Sequence, residues 1–296
     1  MPGKDRSVRV VTVTQDYFDR TDAPRLANET LERLEFASAY RPDIACLPEH
    51  FAGNAAEPVP GPATERVGRW AKEHSCWAIC PILATAGAGR HNAAVLIDRQ
   101  GRIAGQYDKI HPTEGELKGG TRPGDLDPPV FTTDFGTIGI QICFDVNWWE
   151  PWAALKRKGA EIVFWPSAYP AARQLSALAW RNEFFVVSST MTRGSRIFDI
   201  TGDVIDMSGM FRPWAQATIQ LGKRLFEIDY HVGKMREVEK KYGPRVQVQW
   251  YHDEDWFTLA SVDPNLSVEE IVAEFGLVPK RQYHARCEAA MDAARK

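Results

Sequence analysis

An α/β fold with mixed sheets is predicted by three features of this 296-residue chain. Short apolar or β-branched runs alternate with segments of helical period, the pattern of strands layered with helices. The first such run is apolar on both faces, as in a sheet covered from both sides. A tight polar turn joins two later runs, so the sheet has antiparallel as well as parallel neighbours.

Each element follows from its own residues. Ser7 to Gln15 sets Val8, Val10 and Thr12 on one face and Val11 and Val13 on the other, and reads as a strand. Asp22 and Pro24 open a helix that carries Leu26, Leu31, Leu34 and Ala37. Asp43 to Pro48 is a short apolar strand ending at Glu49-His50-Phe51. A helix over Thr64 to His74 and a strand over Trp77 to Leu83 repeat the pattern. Asn92 to Asp98 and Arg102 to Lys109 form a hairpin through Arg99-Gln100-Gly101. His111 to Pro129 is polar and rich in Gly and Pro, and reads as a long loop of the functional kind. Phe135 to Phe144 is a strand. It is followed by a helix near Pro151 to Lys158, a strand Glu161 to Trp165, a helix near Ala172 to Asn182 and a strand Phe184 to Thr190. Ser195–Asp199 and Asp203–Asp206 form a late hairpin through Thr201-Gly202.

No composition break interrupts the chain before about residue 260, so one domain is expected over 1–262. Residues 263–296 form a helical tail, opened by the capping box Ser267-Val268-Glu269-Glu270 and expected at an oligomer interface. The mixed-sign run Lys234 to Lys241 reads as a solvated helical face.

Composition narrows the function. Hydrophobic residues make up 44% and charged residues 25%, enough apolar material to exclude a disordered chain. A net charge of −3, with no basic stripe, argues against a nucleic-acid partner. No apolar run approaches the roughly 18 residues that span a bilayer, so no membrane partner is expected. The N-terminal residues lack the apolar core of a secretory signal, and the five scattered cysteines do not form a disulfide framework. A cytoplasmic location is the expectation.

Three reactive residues share one kind of position. Glu49, Lys109 and Cys143 each stand at the end of a strand, where α/β sheets bind their ligands. Singly, each has an ordinary reading: a solvated loop carboxylate, a surface lysine, a small core residue. Together they supply the parts of acyl transfer through a thioester. A cysteine at a strand-to-helix junction is the nucleophile, a nearby ammonium favours the thiolate and the oxyanion, and a carboxylate carries the proton to the leaving amine. His74, Cys76 and Cys80 lack a fourth ligand and do not read as a zinc site. His50 and His111 adjoin Glu49 and Lys109; either an ordinary hydrogen bond or a contact with substrate fits such a loop histidine.

The stretches Cys46-Leu47-Pro48-Glu49, Tyr107-Asp108-Lys109-Ile110-His111-Pro112 and Gly139-Ile140-Gln141-Ile142-Cys143-Phe144-Asp145, in this order, resemble the nitrilase superfamily of carbon–nitrogen hydrolases. The late hairpin Gly194 to Val204 also resembles it, and the likeness runs over roughly residues 6 to 230. This resemblance implies a four-layer αββα sandwich completed by the pairing of two subunits, and a homodimer or larger homo-oligomer. It implies a triad of Glu49, Lys109 and Cys143, with Glu116 as a second glutamate that orients water and Glu114 as its alternative. It places the backbone N–H of Phe144 beside Lys109 at the oxyanion. No metal and no organic cofactor is implied.

The substrate is expected to be a small linear amide, in the amidase and carbamoylase branch. After the cysteine stands Phe144-Asp145, where nitrile-cleaving members typically carry Trp-Glu. Val146 and Asn147 stand where carbamoyl-amino-acid hydrolases often carry arginines. Trp148-Trp149 replaces a common Phe-Pro pair, and Ala179-Trp180-Arg181-Asn182 alters a helix motif. Trp148 and Tyr169, with Phe144 and His50, are the candidate substrate contacts, because aromatic walls suit a flat or apolar acyl group. The alternatives are a nitrilase, an N-carbamoyl amide hydrolase, an acyltransferase, and a catalytically silent scaffold on the same fold.

Overall fold

The computed structural model describes residues 6–15, 22–192 and 194–296, so most of the N-terminal segment read above lies outside it. The described chain falls into two compact units, Val8–Ile219 and Gln220–Lys296, with residues 6 and 7 grouped with the latter.

The first unit runs β1 (Ser7–Val13), α1 (Ala23–Ala37), β2 (Ile44–Cys46), β3 (Ala56–Glu57), α2 (Pro62–Glu73), β4 (Trp77–Ala86), β5 (Gly89–Ile97), β6 (Ile103–Asp108) and α3 (Glu114–Lys118). It continues with β7 (Val130–Thr132), β8 (Thr137–Ile140), α4 (Trp149–Arg157), β9 (Ile162–Ser167), α5 (Ala172–Asn182), β10 (Phe185–Thr190), β11 (Arg196–Phe198), β12 (Val204–Met207) and β13 (Trp214–Gln220). A seven-stranded sheet has the order β13-β1-β2-β4-β5-β6, with β3 paired to β4, and a six-stranded sheet has the order β12-β11-β10-β9-β8-β7.

Strand periodicity sorts the side chains into layers. On the first sheet Val11, Val13, Ala45, Ala78, Cys80 and Val95 face outward and pack under Leu34 of α1 and Val67 and Trp70 of α2. On the second, Val163, Trp165 and Val186 pack under Trp152 and Leu155 of α4 and Leu175 and Leu178 of α5. The opposite faces meet: the Thr12 hydroxyl donates to the Ser188 carbonyl at 2.6 Å, and the Ser189 hydroxyl to the Val13 carbonyl at 2.7 Å. The result is the αββα sandwich, and one chain builds all four layers. The expectation that a second subunit is needed to complete them is corrected, because both sheets and both helix pairs lie within residues 7–220 of one chain.

Most elements stand where the periodicity puts them. Three differ in instructive ways. The expected strand Phe135 to Phe144 is regular only over Thr137–Ile140. The Asp145 carboxylate accepts the Ile142 N–H at 2.9 Å and bends the chain into a 3-10 turn, Cys143–Asn147. The loop after Lys109 contains a helix, because Thr113 and Glu116 form a reciprocal capping box. The strand expected from Asn92 starts at Gly89, which brings Arg90 into the sheet.

The second unit runs β14 (Arg224–Glu227), α6 (Val232–Tyr242), β15 (Val246–Tyr251), β16 (Trp256–Ser261), α7 (Val268–Phe275) and α8 (Lys280–Ala294). Its three-stranded sheet has the order β14-β16-β15. Phe226, Met235, Val238, Phe257, Leu259 and Ile271 form its core. The charged run 234–241 is a helix as expected, with Met235 and Val238 turned inward. Position 262, where the sequence reading sets the tail apart, falls inside this unit between β16 and α7. No helix among the described residues is long and apolar enough to cross a membrane.

The β5–β6 turn is locked to α2 by two glycines in mutual contact. Gly101 has φ +79°, and a Cβ there would stand 2.3 Å from the Gly68 carbonyl oxygen. We expect Gly101→Ala to lower stability by about 2 kcal/mol or more, from strain plus clash. Chemical unfolding measures it, and a change within about 0.5 kcal/mol would contradict the packing described.

Candidate active site

One end of the sandwich gathers the reactive residues. Strands β1, β2 and β4 are parallel, and so are β8, β9 and β10. Their carboxyl ends, with the end of β6, surround a cavity of about 630 Å³. Glu49, His50, Lys109, Glu116 and Cys143 all line it, joined by Ala168 from beyond β9 and Met191 from beyond β10.

Lys109 is the centre of the polar network. Its side chain is 1% exposed, and the ammonium donates to Glu49 Oε1 at 3.2 Å and to Glu116 Oε1 and Oε2 at 3.0 and 2.9 Å. Burial opposes its charge, but the Glu49, Cys143 and Glu116 groups outweigh that and push its pKa up. Burial likewise raises Glu49, yet Lys109, His50 and the Asn92 amide bring its pKa below the ordinary 4.5. Glu116 is held down to about 2: burial opposes ionisation, while the Lys109 charge and hydrogen bonds from Lys109, Thr113 and Asn92 favour it. At neutral pH the cluster is therefore one ammonium between two carboxylates.

Asn92 is a residue that sequence reading missed. Its side-chain amide donates to Glu49 Oε1 and to Glu116 Oε1, both at 2.7 Å, so it fixes the spacing of the two carboxylates. The hairpin register held the signal. The Lys109 N–H donates to the Asn92 carbonyl at 2.8 Å, so a buried polar residue stands opposite the lysine, just before the apolar run 93–97 of its strand.

Cys143 opens the 3-10 turn with φ +46°, a strained setting for a side-chain-bearing residue. The turn is held by its surroundings. Trp165 Nε1 donates to the Cys143 carbonyl at 3.0 Å. Asp145, fully buried, accepts the Tyr107 hydroxyl at 2.7 Å and the His111 N–H at 2.8 Å in addition to the Ile142 N–H. One carboxylate thus ties the Cys143 turn to the segment that carries Lys109. The thiol is pushed up to about 12 by burial first and by the Glu49 charge, against the pull of Lys109, Ser167 and Ala168. It is a neutral thiol beside an ionised carboxylate.

The candidate substrate contacts divide. His50, with φ +50°, lines the cavity. Phe144, Trp148 and Tyr169 are not among its described lining residues. Trp148 stacks on His111, with ring centroids 3.9 Å apart, and Phe144 meets Trp148 edge-on at 5.2 Å. Tyr169 stands edge-on to Trp165 at 5.5 Å. Its hydroxyl is pushed up to about 12, by burial first. His74 pairs with Glu35, and Cys76 and Cys80 are buried under α1 and α2. The metal-like spacing found among the described residues is that of Glu49, His50 and Glu116, whose ligand atoms lie within 4.8 Å of one another. The Lys109 ammonium already donates to both of its carboxylates.

Two outcomes follow from this geometry. A carboxyl whose folded pKa is depressed adds stability above its ordinary value of 4.5 and loses it as pH falls toward about 2. Stability measured by urea unfolding is expected to drop across that window, and Glu116→Gln to remove part of the slope; an equal slope in the variant would contradict the network. Asp145→Ala leaves two buried donors and one half-buried donor without their acceptor and is expected to cost about 3 kcal/mol or more. It should also cut any activity of the protein more than its loss of folded fraction accounts for.

The carbon–nitrogen hydrolase family model matches residues 7–224. The chain is 34% identical over 204 residues to a beta-ureidopropionase of Arabidopsis thaliana, covering 62% of this chain and 49% of that protein. It is 30% identical over 193 residues to an N-carbamoylputrescine amidase of Solanum lycopersicum, covering 60% of this chain and 64% of that protein. The matched region thus spans half to under two thirds of these relatives. Among solved structures, Saccharomyces cerevisiae Nit3, a member of branch 10 of the nitrilase superfamily, superposes with a TM-score of 0.63 at 16% identity, covering 80% of this chain and 95% of that one. The fold, the ordered motifs and the extent of the match lead to one conclusion: the chain belongs to the carbon–nitrogen hydrolase family.

Proposed function

We propose that this protein hydrolyses the non-peptide C–N bond of a small linear amide through a thioester on Cys143. The observation that carries the reading is the convergence of Glu49, Lys109, Glu116 and Cys143 on one cavity, with the buried ammonium bonded to both carboxylates.

The thiol is neutral at rest and the Glu49 carboxylate is charged. Ionising the sulfur ahead of attack is strongly uphill, so proton transfer to Glu49 accompanies C–S bond formation. The carbonyl oxygen gains charge beside the Lys109 ammonium and the Phe144 backbone N–H. The C–N bond then breaks, and the leaving ammonia or amine takes the proton from Glu49. Water, oriented by Glu116, gives a proton to Glu49 and attacks the thioester. The acid departs, and the sulfur recovers its proton from Glu49. This cycle uses no metal and no organic cofactor. The reading includes a cytoplasmic location and a homo-oligomer, supported by the scattered cysteines and by the family resemblance.

A second reading is an N-carbamoyl substrate, favoured by the names of the two relatives given above. There the sulfur would carry a carbamoyl group, and carbon dioxide would be released with the ammonia. A panel of linear amides, N-carbamoyl compounds and nitriles separates these readings by product. We expect Cys143→Ala to cut turnover of the best substrate by at least about 10³-fold while the fold is retained. We expect Glu49→Gln to accumulate an acyl group on Cys143, seen by intact mass. Turnover retained in Cys143→Ala would remove the thioester route.

A further inference from the structure

The sheet of the second unit has two unlike edges. At one edge stands β14, four residues long, with Arg224 and Glu227 at its ends. Helix α8 is fastened there: His284 pairs with Glu227 at 2.9 Å, and the Tyr283 hydroxyl donates to Asp229 at 2.8 Å. At the other edge stands β15, Val246–Tyr251, with the sequence Val-Gln-Val-Gln-Trp-Tyr. It carries no charge and no proline, and its register with β16 runs without a bulge. These are the devices by which proteins blunt an exposed edge, and β15 has none of them.

The ladder shows which groups point outward. The Val262 N–H donates to the Arg245 carbonyl at 3.0 Å. Bonded and unbonded residues alternate along an antiparallel pair, so Gln247, Gln249 and Tyr251 bond to β16. Val248 and Trp250 therefore turn both N–H and C=O away from the sheet. Val246 turns its carbonyl the same way, and its N–H donates to the Gly243 carbonyl. Among the described residues no strand pairs on this side. The side chains of Val246, Val248 and Trp250 pack on the unit's core, and those of Gln247 and Gln249 are exposed.

Charge says what covers the edge. The chain enters β15 past Lys240, Lys241 and Arg245, and leaves it through Asp253, Glu254 and Asp255. Arg245 pairs with Asp263 and Lys241 with Glu274, while Lys240, Asp253 and Glu254 form no ion pair among the described residues. An antiparallel copy of the same strand sets each basic approach beside an acidic exit. A two-fold axis does this at both ends at once. We infer that β15 is a self-association edge, on which a second copy of this chain adds its own β15 antiparallel and joins two three-stranded sheets into one of six. The strand lies beyond residues 7–224, so the family match does not supply this interface, and it does not depend on the reaction at Cys143.

The test is sedimentation of the whole chain over a dilution series. Gln247→Lys/Gln249→Lys gathers four ammonium groups at the seam while changing only exposed side chains, so the fold is spared. Self-association is expected to weaken at least about tenfold, and the particle to fall to half the wild-type mass. Val248→Pro removes an outward donor and no bond to β16, and should act in the same way. Gln247→Glu/Gln249→Glu alone should also dissociate, and mixing it with the lysine variant should restore the wild-type mass. Amide exchange at Val248 and Trp250 should be slow in the wild type and faster in the lysine variant. Wild-type mass in the lysine variant, or no recovery on mixing, would overturn the inference. So would a wild-type chain that sediments singly at every concentration, which would leave the edge to a strand of another protein.

Discussion

An ammonium buried between two carboxylates is the constraint on which this cavity depends. Taking Lys109 out of water is costly, and only close, well-directed charge partners offset that cost. Glu49 and Glu116 supply them, and the Asn92 amide holds both carboxylates at the spacing the ammonium needs. The arrangement is mutual. Removing any one of the four groups takes a partner from another buried group, so the same contacts that poise the site also tie β5 to the ends of β2 and β6 and to α3.

The cysteine side of the cavity is organised by a second carboxylate with a different task. Asp145 touches neither Lys109 nor the two glutamates. It gathers the Ile142 N–H, the Tyr107 hydroxyl and the His111 N–H, and so ends β8 early and turns Cys143 toward the cavity. The left-handed φ at Cys143 is the local cost of that turn. The Lys109 network on one side and Cys143, held by the Asp145 turn, on the other thus line one cavity.

Much of this is legible in the sequence, for reasons that can be stated. Periodicity locates the strands, and strand ends are where such sheets place reactive groups; Glu49, Lys109 and Cys143 are found on that ground. Asn92 was within reach, because the turn at Arg99-Gln100-Gly101 sets the register that puts it opposite Lys109. Asp145 was not. Its place depends on contacts between distant segments, such as Tyr107 with Asp145, which no local pattern encodes. Aromatic content misled in one respect. Trp148 and Phe144 read as pocket walls, but Trp148 stacks on His111 and Phe144 packs against Trp148. The layers were foreseen, whereas their completion by one chain was not, since a periodicity reports burial and not whose atoms provide it.

The neutral state of the Cys143 sulfur carries a further meaning. A standing thiolate invites every passing oxidant and electrophile. Here the anion would exist only for the moment in which a carbonyl carbon sits against the sulfur and Glu49 withdraws the proton. Reactivity would then be conferred by the visitor, so that selectivity and self-protection are one property of the same burial.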